Sequence, residues 1–197
     1  MSVQNLDPNT TALVLIDFIN DIVSENGKLS GKGYKTFIQE QKIDEKVVQL
    51  LAKARSHDWS IIHVRIGFSP TYTEHPTTSP LFGGIKKLDA LIFGSWGTEF
   101  AEFARPLSNE TIVEKHRVSA FYGTDLETLL HNLGTQNVIL AGCATDLAVQ
   151  AAARDAHDRD FRVVIVDDAC AAATIFDHTS SLVVLSKIAT ITTVAKL

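Results

Sequence analysis

The chain has 197 residues, 45% of them hydrophobic and 21% charged, with a formal net charge of −5. Length and balance suit one globular domain over residues 1–197 and exclude a disordered chain, which would have fewer apolar residues and more net charge. The charge is not the basic footprint of a nucleic-acid binder, and no run approaches the ~20 apolar residues that span a bilayer.

In chain order, short β-branched apolar runs recur. The start MSVQNLDPNTT has neither the basic residues nor the apolar stretch of an export signal. The first strand is predicted over 11–16 (TALVLI), and residues 43–57 then place Ile43, Val47, Leu50, Leu51 and Ala54 on one helical stripe. Asp44 is a candidate cap for that helix, and with Glu45 it suits the positive end of the dipole. A second strand follows over 60–64 (SIIHV).

Residues 66–98 break the pattern with prolines and glycines, yet hold Phe68, Tyr72, Phe82, Leu91, Phe93 and Trp96. This stretch reads as a packed excursion that walls a pocket or meets another subunit. A third strand is predicted over 111–113. A helix over 125–133 comes next, with Thr124 and Glu127 as a capping box and Gly134 as its C-terminal stop. Strands over 137–141, 162–166 and 189–194 alternate with helices over 146–158 and 178–187. Near-continuous apolar strands alternating with helices predict an α/β fold: a three-layer α/β/α sandwich around a mostly parallel six-stranded sheet.

In such sheets ligands bind beyond the carboxyl ends of the strands. Asp17 follows the first strand, either as an ordinary turn-capping carboxylate or as a functional one. Lys115 follows the third, either in a solvated cluster with His116 and Arg117 or paired with Asp17. The segment GCATDLAV, residues 142–149, turns from the fourth strand into a helix whose free N–H groups suit an oxyanion.

Together these segments resemble the isochorismatase-like hydrolases, also called cysteine hydrolases. The resemblance covers nearly the whole chain: ALVLIDFIND, IIHVR, GTEF, VEKHRVSAFYGTDLETLL, VILAGCATDLAVQAAARDAHDRDF and VVIVDDACAAAT. It implies hydrolysis of a C–N bond in a small amide or carbamoyl compound by an Asp–Lys–Cys site. Asp17 and Lys115 match the first two members. The resemblance also implies a cis peptide between Cys143 and Ala144, and an oxyanion hole at the N–H groups of Ala144 and Ala148.

The nucleophile position departs from the family pattern. Where a motif like TDxCV is expected, the chain reads Thr145-Asp146-Leu147-Ala148-Val149. Ala148 has no nucleophilic atom. It marks a Cys→Ala replacement, a natural member working without a thiol, or a pseudo-enzyme. A thiol-free member would act as an isochorismatase does, with Asp17 as the acid on a vinyl ether. A pseudo-enzyme would be a non-catalytic binding protein of the same fold.

Cys143 and Cys170 read as packing residues, and two thiols without a disulfide framework suit a reduced, cytoplasmic setting. Phe18, Arg65, Trp96, Phe121 and Thr145 are candidate substrate contacts, Arg65 for a carboxylate. Asn20 and Asp21 are candidates for ordering the turn after Asp17, and Asp155 for an ion pair. His63 lacks the companions a catalytic zinc needs and reads as a core histidine, so neither metal nor cofactor is expected. The expected partner is a small molecule, with no nucleic acid and no membrane. The excursion and the apolar last strand suggest a homo-oligomer, dimer or tetramer.

Overall fold

The computed structural model describes residues 6–197. The first five residues, part of the stretch read above as lacking an export signal, lie outside the described residues. Six strands form one all-parallel sheet: β1 (Thr11–Ile16), β2 (Ser60–Ile66), β3 (Thr111–Lys115), β4 (Asn137–Cys143), β5 (Arg162–Ala171) and β6 (Thr190–Thr192), in the order β3-β2-β1-β4-β5-β6. Every residue of β1 and β4 is buried, so these central strands are covered on both faces, and their unbroken apolar sequence follows from that.

The helices are α1 (Asn20–Val23), α2 (Tyr34–Gln41), α3 (Ile43–Ser56), α4 (Leu126–Asn132), α5 (Gln150–His157) and α6 (Ile175–Leu185). The chain steps outward from β1 to β2 on one side and from β4 to β5 on the other. Right-handed crossovers in opposite directions put α3 and α5 on opposite faces. This is the three-layer sandwich. Among the described residues no helix is long and apolar enough to cross a membrane.

Several predicted boundaries move. Lys115 is the last residue of β3 and not the one after it, and Cys170 lies inside β5, which runs five residues past its apolar stretch. The extension carries Asp167 and Asp168, whose carboxylates are partnered by His178 and by the Val194 amide. The last strand shrinks to three residues. Helix α6 starts three residues before the predicted 178, because Thr174 caps the Asp177 amide.

The capping box does not form. The Thr124 hydroxyl donates to the Ala120 carbonyl at 2.6 Å, while Glu127 accepts from Arg159 at 2.7 Å. Asp44 does not cap α3, although it and Glu45 lie in the first turn. Gly134 does end α4, at φ +66°. The predicted helix over 146–158 divides into a π-turn (Thr145–Val149) and α5. Helices α1 and α2 fall in a stretch given no helix above.

The excursion is packed. Phe68, Tyr72, Phe82, Ile85 and Leu91 form a second apolar cluster with Ile19 and Leu29. It is tied to α1 by the two residues after Ile19. The Asn20 side-chain amide donates to the Trp96 carbonyl at 2.9 Å, and Asp21 accepts the Leu91 amide at 2.7 Å and the Lys28 amide at 3.2 Å. Gly97 permits this, since a Cβ there would lie 2.2 Å from the Asp21 carboxylate.

Candidate active site

The outward steps reverse between β1 and β4, and the carboxyl ends of these strands flank the crevice such a switch point leaves. β1 delivers Asp17, whose left-handed φ of +57° turns the chain out of the sheet, with its amide still donating to the Val64 carbonyl at 2.9 Å. β3 delivers Lys115, and β4 delivers Cys143 and Ala144, joined by a cis peptide. All four residues line one cavity of about 70 Å³, together with Leu147 and Ala148. The excursion adds Leu81, Phe82, Ile85 and Leu91 to its wall.

The Lys115 ammonium lies 2.6 Å from Asp17 Oδ2, with both side chains almost wholly buried. Its other two contacts are the carbonyls of Val118 at 2.9 Å and Arg117 at 3.2 Å. An ammonium has three protons, so these contacts use all of its donors. Asp17 Oδ1, by contrast, is buried and has no hydrogen-bond partner. Burial pushes the Asp17 carboxyl above its ordinary range, against the opposing pull of Lys115. The result is a carboxylate fixed at one oxygen and able to take a proton at the other.

Cys143 is buried at the same wall, and burial together with the Asp17 charge pushes its thiol well above the ordinary range. That is the opposite of an activated nucleophile. Ala148 presents only a methyl group.

The candidate substrate contacts lie elsewhere. Phe18 is in the main core, edge-on to Phe103 at 5.4 Å. Arg65 is paired with Glu114 at 2.6 Å and stacked over Phe93 and Phe100. Trp96 is half exposed, and its backbone, not its ring, holds Asn20. Phe121 packs on Phe161 beneath Arg159. The Thr145 hydroxyl meets His178 Nδ1 at 2.9 Å, and His178 Nε2 meets Asp167 at 2.8 Å. This chain, buried at its Thr145–His178 link, ties the π-turn to α6 and β5, and nothing in the sequence pattern linked its three members.

His63 is fully buried and meets Glu110 at 2.9 Å, and Asp155 pairs with Arg159 at 2.8 Å. Among the described residues no group of three or more His, Cys, Asp or Glu side chains is placed to hold a metal. Lining residues that the sequence reading did not single out include Lys32, which is exposed, and Tyr34. Lys32 ends a short 3-10 turn and Tyr34 opens α2, on either side of Gly33.

A family model described as the isochorismatase domain matches residues 11–196. The uncharacterised isochorismatase family protein YecD of Escherichia coli O157:H7 is 32% identical over 180 residues, 90% of this chain and 88% of that one. The ureidoacrylate amidohydrolase RutB of Acinetobacter baylyi is 27% identical over 177 residues, 84% of this chain and 72% of that one. Among solved structures, the nicotinamidase PncA of Bacillus subtilis superposes with a TM-score of 0.77 at 27% identity, covering 93% of this chain and 99% of that one.

Proposed function

The chain belongs to the isochorismatase family of hydrolases, and we propose that Asp17, Lys115 and the turn at Ala148 form a site for cleaving the C–N bond of a small amide or carbamoyl compound. The observation that carries this reading is the 2.6 Å contact between Lys115 and Asp17 Oδ2, which leaves Oδ1 as a buried, unpartnered proton acceptor in the cavity. Relatives named as ureidoacrylate and maleamate amidohydrolases support the bond type.

In the proposed chemistry a thiol at residue 148 gives its proton to Asp17, and the thiolate adds to the substrate carbonyl. The N–H groups of residues 144 and 148 receive the oxyanion. Asp17 returns the proton to the departing amine, and water then releases the acyl group. Lys115 keeps Asp17 ionised when the site is empty. With Ala148 no carbon–sulfur bond can form, so a bound amide stays intact. The test is Ala148→Cys: ammonia release from a panel of small amides is expected to appear, and no gain across the panel would refute the proposal.

One observation favours a second reading. A buried carboxyl with a raised pKa is also suited to donating a proton, and a vinyl ether needs an acid and no thiol. Hydrolysis of isochorismate that disappears in Asp17→Asn would select it.

A further inference from the structure

We propose that the outward face of α6 is the seam of a homodimer, in which two copies of this helix pack antiparallel about a two-fold axis, with Phe176 of each against Lys187 of the other. The proposal stands apart from which bond the site cleaves.

A helix that covers a sheet normally buries one stripe and turns charged residues to water on the other. Helix α6 buries His178, Ser181 and Leu185. Its opposite stripe carries Phe176, 75% exposed, and Val183, 68% exposed, with Val184 beside them and Thr179 and Ser180 between. Asp177 is the only carboxylate of the helix, which has no Lys or Arg. Helix α3 makes the contrast. It sets Asp44, Glu45, Lys46, Lys53 and Arg55 around its one exposed large apolar residue, Val48. An apolar stripe with no charge along its middle is the mark of a surface that meets another protein.

Spacing and charge say what covers it. Phe176, Ser180, Val183 and Lys187 follow one another at intervals of four, three and four residues, the spacing of a helix–helix seam. Lys187 lies just past α6, and Ser186 before it keeps helical dihedrals, so the stripe continues to it. Two copies set antiparallel, with Phe176 level with Lys187, bring Ser180 level with Val183. A small side chain then faces a larger one in both inner layers. At each end Lys187 lays its stem along the Phe176 ring of the other copy, and its ammonium reaches Asp177 beside that ring. Asp177 Oδ2 accepts the Thr174 hydroxyl at 2.6 Å, so Oδ1 is the oxygen that faces the cation. A parallel pair would instead set Lys187 against Lys187 and Asp177 against Asp177. The two charges of this face therefore complement a reversed copy of the same face, which is the condition for a two-fold interface.

The seam runs beside the candidate active site. The Ala173 carbonyl, just ahead of α6, lies so close to Gly33 that a Cβ there would meet its oxygen at 2.5 Å. Asp177 is near enough to Tyr34 for its charge to act on that phenol, and Tyr34 lines the cavity. Docking on α6 thus steadies the segment that supplies part of the cavity wall.

Sedimentation equilibrium of the unaltered chain at micromolar concentration should give a dimer or a multiple of it. Phe176→Asp is expected to halve the assembly, raising the dissociation constant at least about thirtyfold, the scale of one interface hot spot. The ring is mostly in water, so the far-UV spectrum and melting temperature should hold. Lys187→Glu should weaken the dimer and Lys187→Arg should keep it. Cys143 and Cys170 are buried, so thiols introduced on the face report on it alone. Ser180→Cys combined with Val183→Cys should give a covalent dimer under mild oxidation, and Ser180→Cys alone much less. A monomeric parent, which would hand the face to a partner of another kind, would overturn the proposal. So would an assembly untouched by Phe176→Asp, or cross-linking as efficient through Ser180→Cys alone. None of these outcomes depends on whether Ala148→Cys releases ammonia, so failure of the amidase reading shows separately.

Discussion

Lys115 is locked onto Asp17: its ammonium spends one donor on Oδ2 at 2.6 Å and its other two on backbone carbonyls. It has no donor left for a ligand. Its contacts turn it toward Asp17 and the backbone and not toward the cavity.

Removing that counter-charge strands a buried carboxylate. Lys115→Met should destabilise the fold by about 3–5 kcal/mol, the usual cost of breaking one side of a buried pair. The double variant Asp17→Asn, Lys115→Met should recover part of the loss. Urea denaturation of the three proteins checks this, and strictly additive losses would contradict it.

The excursion depends on Asp21. Asp21→Ala leaves the buried Leu91 amide without an acceptor, at a cost of about 1–3 kcal/mol. Gly97→Ala should do comparable damage by pushing into the same carboxylate. Faster amide exchange over residues 85–98, and at the Lys28 amide that Asp21 also accepts, is the expected signature in both. Unchanged exchange there would show that the apolar cluster alone holds the wall.

Acid should weaken the fold through Glu110. Burial alone would raise its pKa. Hydrogen bonds from Arg55, the Leu107 amide and His63 outweigh that and hold it at about 2, below an ordinary 4.5. A depressed carboxylate stabilises the fold above its unfolded pKa, and that contribution is lost as pH falls from about 4.5 through 2. It is on the order of 2–3 kcal/mol, since the side chain is nearly buried. Burial also lowers the His63 pKa, so forcing a proton onto it acts in the same direction. Thermal melts between pH 7 and pH 2.5 should show Glu110→Gln starting lower and falling less. Parallel curves for variant and parent would refute the assignment.

Thr145→Val keeps the shape of the side chain and deletes its hydroxyl, leaving His178 Nδ1 buried without its partner. A loss of about 1–3 kcal/mol is expected. If the chain to Asp167 positions the π-turn, the same change placed in Ala148→Cys should lower turnover more than it raises KM. A stability loss with unaltered turnover would confine the chain to a structural role.

The strands were legible because burial on both faces demands unbroken apolar runs, and β1 and β4 supply them. Their ends were not. Asp167 and Asp168 look like the close of a strand until His178 and the Val194 amide are seen to satisfy them. Helix α2 escaped notice because only Phe37 and Ile38 face the core among polar neighbours. At the site, Asp17 and Lys115 could be read as charges ending apolar runs. The aromatic candidates Phe18, Trp96 and Phe121 could not be sorted, because ring chemistry does not say which way a ring faces. The 66–98 excursion reads as a pocket wall from the sequence, and Phe82 and Leu91, named in it, do line the cavity; Leu81 and Ile85 beside them go unnamed because that irregular backbone has no period to read.

The parallel order of the sheet has a consequence for synthesis. Asp17, Lys115 and the turn at 144–148 are neighbours only after β4 has inserted beside β1, on the side away from β2. A nascent chain emerging from the ribosome therefore carries an uncompensated Asp17 for some hundred residues of translation before its cation arrives. Until β4 follows, its first strand keeps the edge away from β2 bare, and that interval is when a chaperone would have most to protect.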